Sequence, residues 1–435
     1  MKVLISAYAC APDTGSEPGA GWEFVRLVAQ EHDVWILSCV TYRDRFDAGL
    51  AAAGIRNVKV EYLGDSGAAR RARRIPHGTE LYCLFWQVQA RRRARALHRE
   101  VGFDLVHHVT FGTDWMPAGV LGVDGVPAIW GPVGGATRMP WSAWRWIGLR
   151  GLVEESARDV VTTAMRHVVG RRMARRADVT LAQNRDVEAA LRPWANHLEV
   201  LPNVIVAPAR ATARRPPAAS GVEARDPAAR RAVFIARLVP WKGLRLAVAA
   251  LAQPAAAHWS LDVYGEGPEQ APAHRLAVRL GVAHRIRFAG QVPHAEVLAA
   301  LSSADALLAP TLHDSAGFAI AEAVTHGCPV VTVDRAGPGV IVEGATGIKV
   351  PVSSRLPEDL AQALADVGPR LPPSDRWSRD VFRARVRRVY ATAMAGEVAP
   401  DSALDIPRPA DSDDRAAAST SPRKTFDAAR SEGHR

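Results

Sequence analysis

With 435 residues, 48% of them apolar, the chain is long enough for two to three domains with real cores, but no uncharged run approaches the ~20 residues of a membrane span. Cys10, Cys39, Cys83 and Cys328 lack CxxC spacing, which favours reduced, buried thiols over a zinc or disulfide framework. The net charge of +10 is concentrated in two stretches: residues 66–100 hold nine Arg against two Glu, residues 140–176 hold eight Arg against three acids, and the rest is close to neutral. Such a surface suits anionic lipid, nucleic acid or an acidic substrate, or is simply a solvated helical face.

In chain order, residues 3–8 read as a buried strand and not as a signal peptide, so the expected location is cytoplasmic. A polar loop over 13–22 follows, in which Gly19 and Gly21 permit close backbone approach to a ligand at the start of the next helix. The spacing is not GxGxxG, so no dinucleotide fingerprint is present. Further strands fall at 33–39 and 57–63, with a helix over 43–53 between them. Residues 80–99 form a helix that combines Leu81, Leu84, Phe85 and Val88 with the run 91–95, rich in arginine; it suits a membrane surface or a core contact equally.

The strand at 104–109 ends in His107 and His108, which alternation places on opposite faces. A strand at 127–132, a flexible loop through Gly135, a Trp-rich turn and a long helical stretch to Arg176 come next, then strands at 179–184 and 198–203. Residues 207–229, rich in Pro, Ala and Arg without an apolar period, read as a linker. A second α/β run has strands at 232–237, 261–264, 285–290, 306–311, 329–334 and 348–350. The expected organisation is a first domain over 1–206, the linker 207–229, and a second domain over 230–372. A terminal helix over 373–395 returning to the first domain and a disordered tail over 396–435 complete it. Alternating strands and helices argue for two doubly wound, Rossmann-like parallel sheets, whose ligands gather at the carboxyl ends of strands.

Two clusters sit at such ends. Arg237 and Lys242 put a forked guanidinium and a mobile point charge at one strand–helix turn. Asp314 precedes a helix starting near Gly317, and Glu322 lies one to two turns inside it. A helix start leaves backbone N–H groups free and carries positive partial charge, so these pieces together suit a nucleotide diphosphate-sugar.

The motifs 236–244, Gly265-Glu-Gly-Pro268, and 314–322 through 327–331 resemble the donor half of glycosyltransferase family 4, a retaining group with the GT-B fold of two Rossmann-like domains facing across a cleft. Likeness is strong over 230–350 and looser in the first half. The resemblance implies that Asp314 meets donor-sugar hydroxyls, where the family usually has Glu, and that Glu322 holds the ribose diol. It implies that amides of Gly317 and Phe318 bind sugar or diphosphate oxygens, with Gly265 in the neighbouring donor-binding motif. Arg237 and Lys242 then neutralise the departing diphosphate, so no metal and no cofactor beyond the donor itself is implied. Gly21 would approach the same phosphates from the first domain, and His107, with His108 as the alternative, would stand near the donor sugar. The implied activity is retaining hexosyl transfer to a hydroxyl of a glycan, glycolipid or lipid-linked acceptor, in the cytoplasm or peripherally on the inner membrane face. A nucleotide-sugar epimerase or sugar-phosphate synthase of the same fold is the main alternative. A nucleic-acid-binding role leaves the acid and cation clusters unexplained, and no nucleic-acid partner is expected.

Overall fold

The computed structural model describes residues 1–12, 17–72, 74–75, 77–206 and 230–396. The linker at 207–229, the tail beyond 396 and the first four residues of the polar loop expected at 13–22 therefore lie outside the described residues. Among the described residues, thirteen strands form two sheets. The first holds β1 (Lys2–Ala7), β2 (Asp33–Cys39), β3 (Val58–Leu63), β4 (Leu105–Thr110), β5 (Ala128–Val133), β6 (Val179–Ala182) and β7 (His197–Val200), in the order β3-β2-β1-β4-β5-β6-β7. The second holds β8 (Arg230–Ile235), β9 (Trp259–Tyr264), β10 (Ile286–Gly290), β11 (Ala306–Ala309), β12 (Val330–Val333) and β13 (Gly347–Val350), in the order β10-β9-β8-β11-β12-β13. Every pairing is parallel. Parallel strands need covered faces, and the near-continuous apolar runs of β1, β4, β5 and β9 supply them: β4, β5 and β9 are buried at every position.

Alternation splits the first sheet's core in two. Val3, Ile5, Ile36 and Leu105 point to the face covered by the helix Glu17–Val28 and by the last helix, Arg379–Ala395. Leu4, Leu37, Val106 and Trp130 point to the face covered by Gly78–Val101 through Cys83, Trp86 and Ala90. The last helix therefore lies on the first sheet, although the chain reaches it directly from the second. Phe382, Val386 and Tyr390 enter that core, and Arg379 forks onto Glu23 at 2.5 and 2.9 Å.

The two sheets belong to one compact unit, Met1–Ala399. One stretch of the first half packs in the second sheet's core: Met139, Ala143 and Ile147 join Leu244, Ala247, Leu261 and Leu308 there. Arg145 donates to the Ser354 carbonyl at 2.5 Å beside it. In both sheets the strand order reverses between the first and fourth strands, so the loops after β1 and β4, and after β8 and β11, open at the topological switch points.

Candidate active site

The loops after β8 and β11 are locked together before any side chain is considered. A Cβ on Gly243, φ +79°, would lie 2.1 Å from the Pro310 carbonyl oxygen, so only glycine fits both the backbone and the gap. Leu312 N–H donates to the Trp241 carbonyl at 2.8 Å. Across this contact Lys242 Nζ meets Asp314 Oδ2 at 2.5 Å, with both side chains about one-fifth exposed. Asp314 Oδ1 accepts from Gly317 N–H at 3.4 Å.

Gly317 then takes the left-handed conformation, φ +72°, as the cap of the helix Phe318–Thr325. Among the described residues, the amides of Phe318 and Ala319 have no acceptor. They are the free donors that a helix start offers an anion or hydroxyl. Glu322 lies one turn further in, where Oε1 stands 2.8 Å from His294 Nε2, and this hydrogen bond raises the His294 pKa.

The loop after β9 lies against the loop after β8. A Cβ on Gly265, φ +122°, would meet the Ala236 carbonyl at 2.0 Å, and one on Gly267 would meet that of Leu238 at 2.4 Å. Leu238 N–H in turn donates to the Glu266 carbonyl at 2.8 Å. Gly265 thus holds two loops side by side, and the Arg237 side chain projects from the second of them. Arg237 is exposed and, among the described residues, has no ion-pair partner. One uncompensated cation, one cation shared with an acid, two free amides and a second acid therefore lie on the loops and the helix that leave the switch point.

The first half supplies the other wall. His313, next to Asp314, stacks obliquely near Trp241 and places Nδ1 3.6 Å from Glu155 Oε2 on the helix Gly148–Met165. Arg158 holds Glu155 at 2.9 Å and Asp159 at 2.5 Å, and donates to the Thr137 carbonyl. Burial, with the Arg158 guanidinium adding to it, holds His313 neutral, its pKa down to about 3. Burial pushes Glu155 up. Asn184 Nδ2 donates to the Ser315 carbonyl at 3.2 Å, and Arg335 to that of Arg138 at 2.9 Å. Glu155, Arg158 and His294 are absent from the sequence-based candidates. The contacts of Glu155 with His313, of Arg158 with Thr137 and of His294 with Glu322 join residues far beyond one helical turn, so no local signal marks them.

The first-half candidates are packed around the first sheet. The helix begins at Glu17, so Gly21 stands in its second turn and not in a loop before it. A Cβ there would meet the Ala9 carbonyl at 2.6 Å and the Thr110 methyl at 2.8 Å, which makes this glycine a helix–strand packing requirement. His107 is fully buried between Tyr390 Oη at 3.1 Å and the Gly131 carbonyl at 2.8 Å, with its ring edge-on to Phe24. His108 points to the other face, with Nδ1 3.2 Å from Ser6 Oγ. Alternation does separate the two rings, but β4 is covered on both faces, so neither ring is exposed beside Asp314 and Lys242. Burial lowers their pKa values to about 3 and about 4. Both should therefore stay neutral across pH 5–8. Histidine ring resonances followed by NMR should show no titration for these two, and a midpoint near the ordinary ~6.5 for either would contradict the burial.

Two parallel sheets with paired switch points define the GT-B architecture, and solved structures share it over nearly the whole chain. A glycosyltransferase from Rickettsia africae superposes with a TM-score of 0.56 at 12% identity, covering 91% of this chain and 99% of that one. Anabaena HepE, solved in complex with UDP, superposes with a TM-score of 0.53 at 15% identity over 90% of this chain and all of that one. Residues 229–367, about a third of the chain, match the family described as glycosyl transferases group 1. Glycogen synthase of Mycobacterium tuberculosis is 31% identical over 192 residues, 40% of this chain and 45% of that protein. D-inositol 3-phosphate glycosyltransferase of Corynebacterium efficiens is 36% identical over 126 residues, 27% of this chain and 30% of that protein. The chain thus spans less than half the length of these curated relatives.

Proposed function

We propose that this chain is a nucleotide-sugar-dependent glycosyltransferase that moves a hexose from a nucleotide-diphosphate sugar to an acceptor hydroxyl with retention of configuration. The observation that carries this reading is the set of uncommitted groups at the second sheet's switch point: Arg237 without an ion-pair partner among the described residues, and the free Phe318 and Ala319 amides beside the Lys242–Asp314 pair. A diphosphate supplies the missing negative charge, and polyhydroxyl rings supply partners for two acids. A relative named D-inositol 3-phosphate glycosyltransferase matches 27% of the chain at 36% identity, and one named glycogen synthase matches 40% of it at 31% identity, which supports the reading.

In this reading Arg237 and Lys242 take the charge that develops on the departing diphosphate, acting in a site that needs no reorganisation at the moment of bond breaking. The Phe318 amide and Asp314 orient the donor sugar, Gly317, whose own N–H is taken by Asp314 Oδ1, shapes the turn before it, and Glu322 takes the ribose diol. As the bond from the anomeric carbon to the phosphate oxygen breaks, the acceptor oxygen bonds to that carbon on the same face. The acceptor proton passes to the leaving phosphate oxygen. No step is assigned to His107 or His108, which contribute by fixing β4, and Gly21 contributes by seating its helix. The acceptor is a glycan, glycolipid or lipid-linked intermediate and the location is the cytoplasm, at the inner membrane face. Among the described residues no helix is long and apolar enough to cross a membrane.

Incubation with nucleotide sugars and no acceptor tests the reaction class. Slow hydrolysis alone is expected, abolished in Glu322→Ala with the thermal midpoint unchanged. Accumulation of an epimerised nucleotide sugar, or full activity of Glu322→Ala, would refute the assignment.

A further inference from the structure

Two helices of the first half carry apolar stripes that nothing in the described chain covers. On Gly78–Val101, Leu81, Phe85 and Val88 are 62%, 59% and 51% exposed, and their spacing of four and three puts them on one face. The helical run 148–176 exposes Val153, Val160, Val161 and Val168 at 57–71%. Both runs end in exposed arginines, Arg91, Arg92, Arg95 and Arg99 on the first and Arg171, Arg172, Arg175 and Arg176 on the second. The stripes meet at a groove of about 520 Å³ walled by Val88, Val168 and Met173 and rimmed by Arg91, Arg172 and Arg176.

Most of the charge on this face is uncompensated. Arg95 and Arg176 share Asp124, at 2.9 and 3.2 Å, but Arg91, Arg92, Arg171, Arg172 and Arg175 have no ion-pair partner among the described residues. Clustered apolar side chains followed by cations, on two helices that line one groove, are what an anionic interface selects: aliphatic groups enter the headgroup boundary and guanidinium groups stay at phosphate level. A second copy of the chain fits poorly, because a two-fold contact would bring the same unpaired arginines together.

We infer that this two-helix face docks the protein on an anionic phospholipid surface. The helix Gly148–Met165 then faces both ways. Val153, Val160 and Val161 meet the lipid, while Glu155 on its inner side, held by Arg158, reaches His313 beside Asp314. Resting on the transferase reading, this orientation delivers a membrane-held, amphiphilic acceptor to the site along that helix; the docking itself does not depend on that reading.

The test is co-sedimentation of the full-length protein with vesicles of phosphatidylcholine alone and of phosphatidylcholine mixed with phosphatidylglycerol. Binding to the mixed vesicles at low salt, its loss at high salt and no binding to phosphatidylcholine alone are expected. Leu81→Ser with Phe85→Ser, and separately Arg91→Glu with Arg172→Glu, should each weaken binding by at least about tenfold, since each removes two interfacial contacts. Their thermal midpoints and nucleotide-sugar hydrolysis should match the unaltered protein. Absence of binding to the mixed vesicles at low salt, undiminished binding by either pair of variants, or a dimer that both pairs dissolve in place of vesicle binding would overturn the inference. Vesicle binding without any action on nucleotide sugars would overturn the transferase reading alone.

Discussion

Lys242→Ala should lower turnover of the nucleotide sugar by about 10²–10³-fold, the usual loss when one preorganised charge-stabilising group is removed, or roughly 3–4 kcal/mol of barrier. Two effects add. The cation that meets the departing diphosphate is lost, and Asp314, now without its partner at 2.5 Å, presents an uncompensated carboxylate to the same region. Because charge on the diphosphate grows as the bond breaks, kcat should fall more than donor affinity. Lys242→Arg keeps the charge but not the compact geometry, so partial recovery is expected. Lys242 is partly exposed and sits in a loop fixed by Gly243 and the Trp241 carbonyl, so the thermal midpoint should barely move. Steady-state kinetics on the donor reads all three, and a kcat within about threefold of the unaltered protein would contradict the role.

Arg166→Met should cost the fold on the order of 3–5 kcal/mol, the range found when one partner of a buried ion pair is removed. Arg166 Nε donates to Asp114 Oδ2, and the two side chains are only 6% and 0% exposed. The other carboxylate oxygen, Oδ1, is buried without a hydrogen-bond partner, so the guanidinium is the main compensation that Asp114 has. Burial already pushes the Asp114 pKa up to about 6, against the pull of Arg166. Without Arg166 the acid must be neutral to remain inside. Adding Asp114→Asn to Arg166→Met should restore much of the loss, because no charge is then stranded. Urea unfolding of the single and double variants measures this, and equal stability of Arg166→Met and the unaltered protein would exclude the pair as a structural element.

Much of the architecture is legible in the residues. Short apolar runs bounded by Gly and polar turns locate the strands, and their alternation with helices implies parallel pairing before any register is known. The Asp314–Glu322 and Arg237–Lys242 clusters are legible because each is local, sitting within one strand–loop–helix unit. What fails to show is long-range. Alternation separates His107 from His108, but only the packing of Trp86 on one face and of Phe24 and Tyr390 on the other makes both faces of β4 interior. The first helix starts several residues earlier than its sequence suggests because Glu17-Pro18-Gly19 has loop composition, although Pro is tolerated in a first turn, where its missing N–H has no helical partner. The insertion of Met139, Ala143 and Ile147 into the second sheet's core has no periodic signature at all.

The central claim is that the second sheet's switch point holds a nucleotide-diphosphate sugar. A thermal-shift panel of nucleotide sugars against the unaltered protein and Glu322→Ala tests it most directly, since a ligand that binds only the folded state stabilises it by mass action, by about 2.7 kcal/mol at a hundred times its Kd. At least one nucleotide sugar should raise the midpoint of the unaltered protein and leave that of Glu322→Ala where it was. No shift with any nucleotide sugar, or the same shift in both proteins, would contradict it.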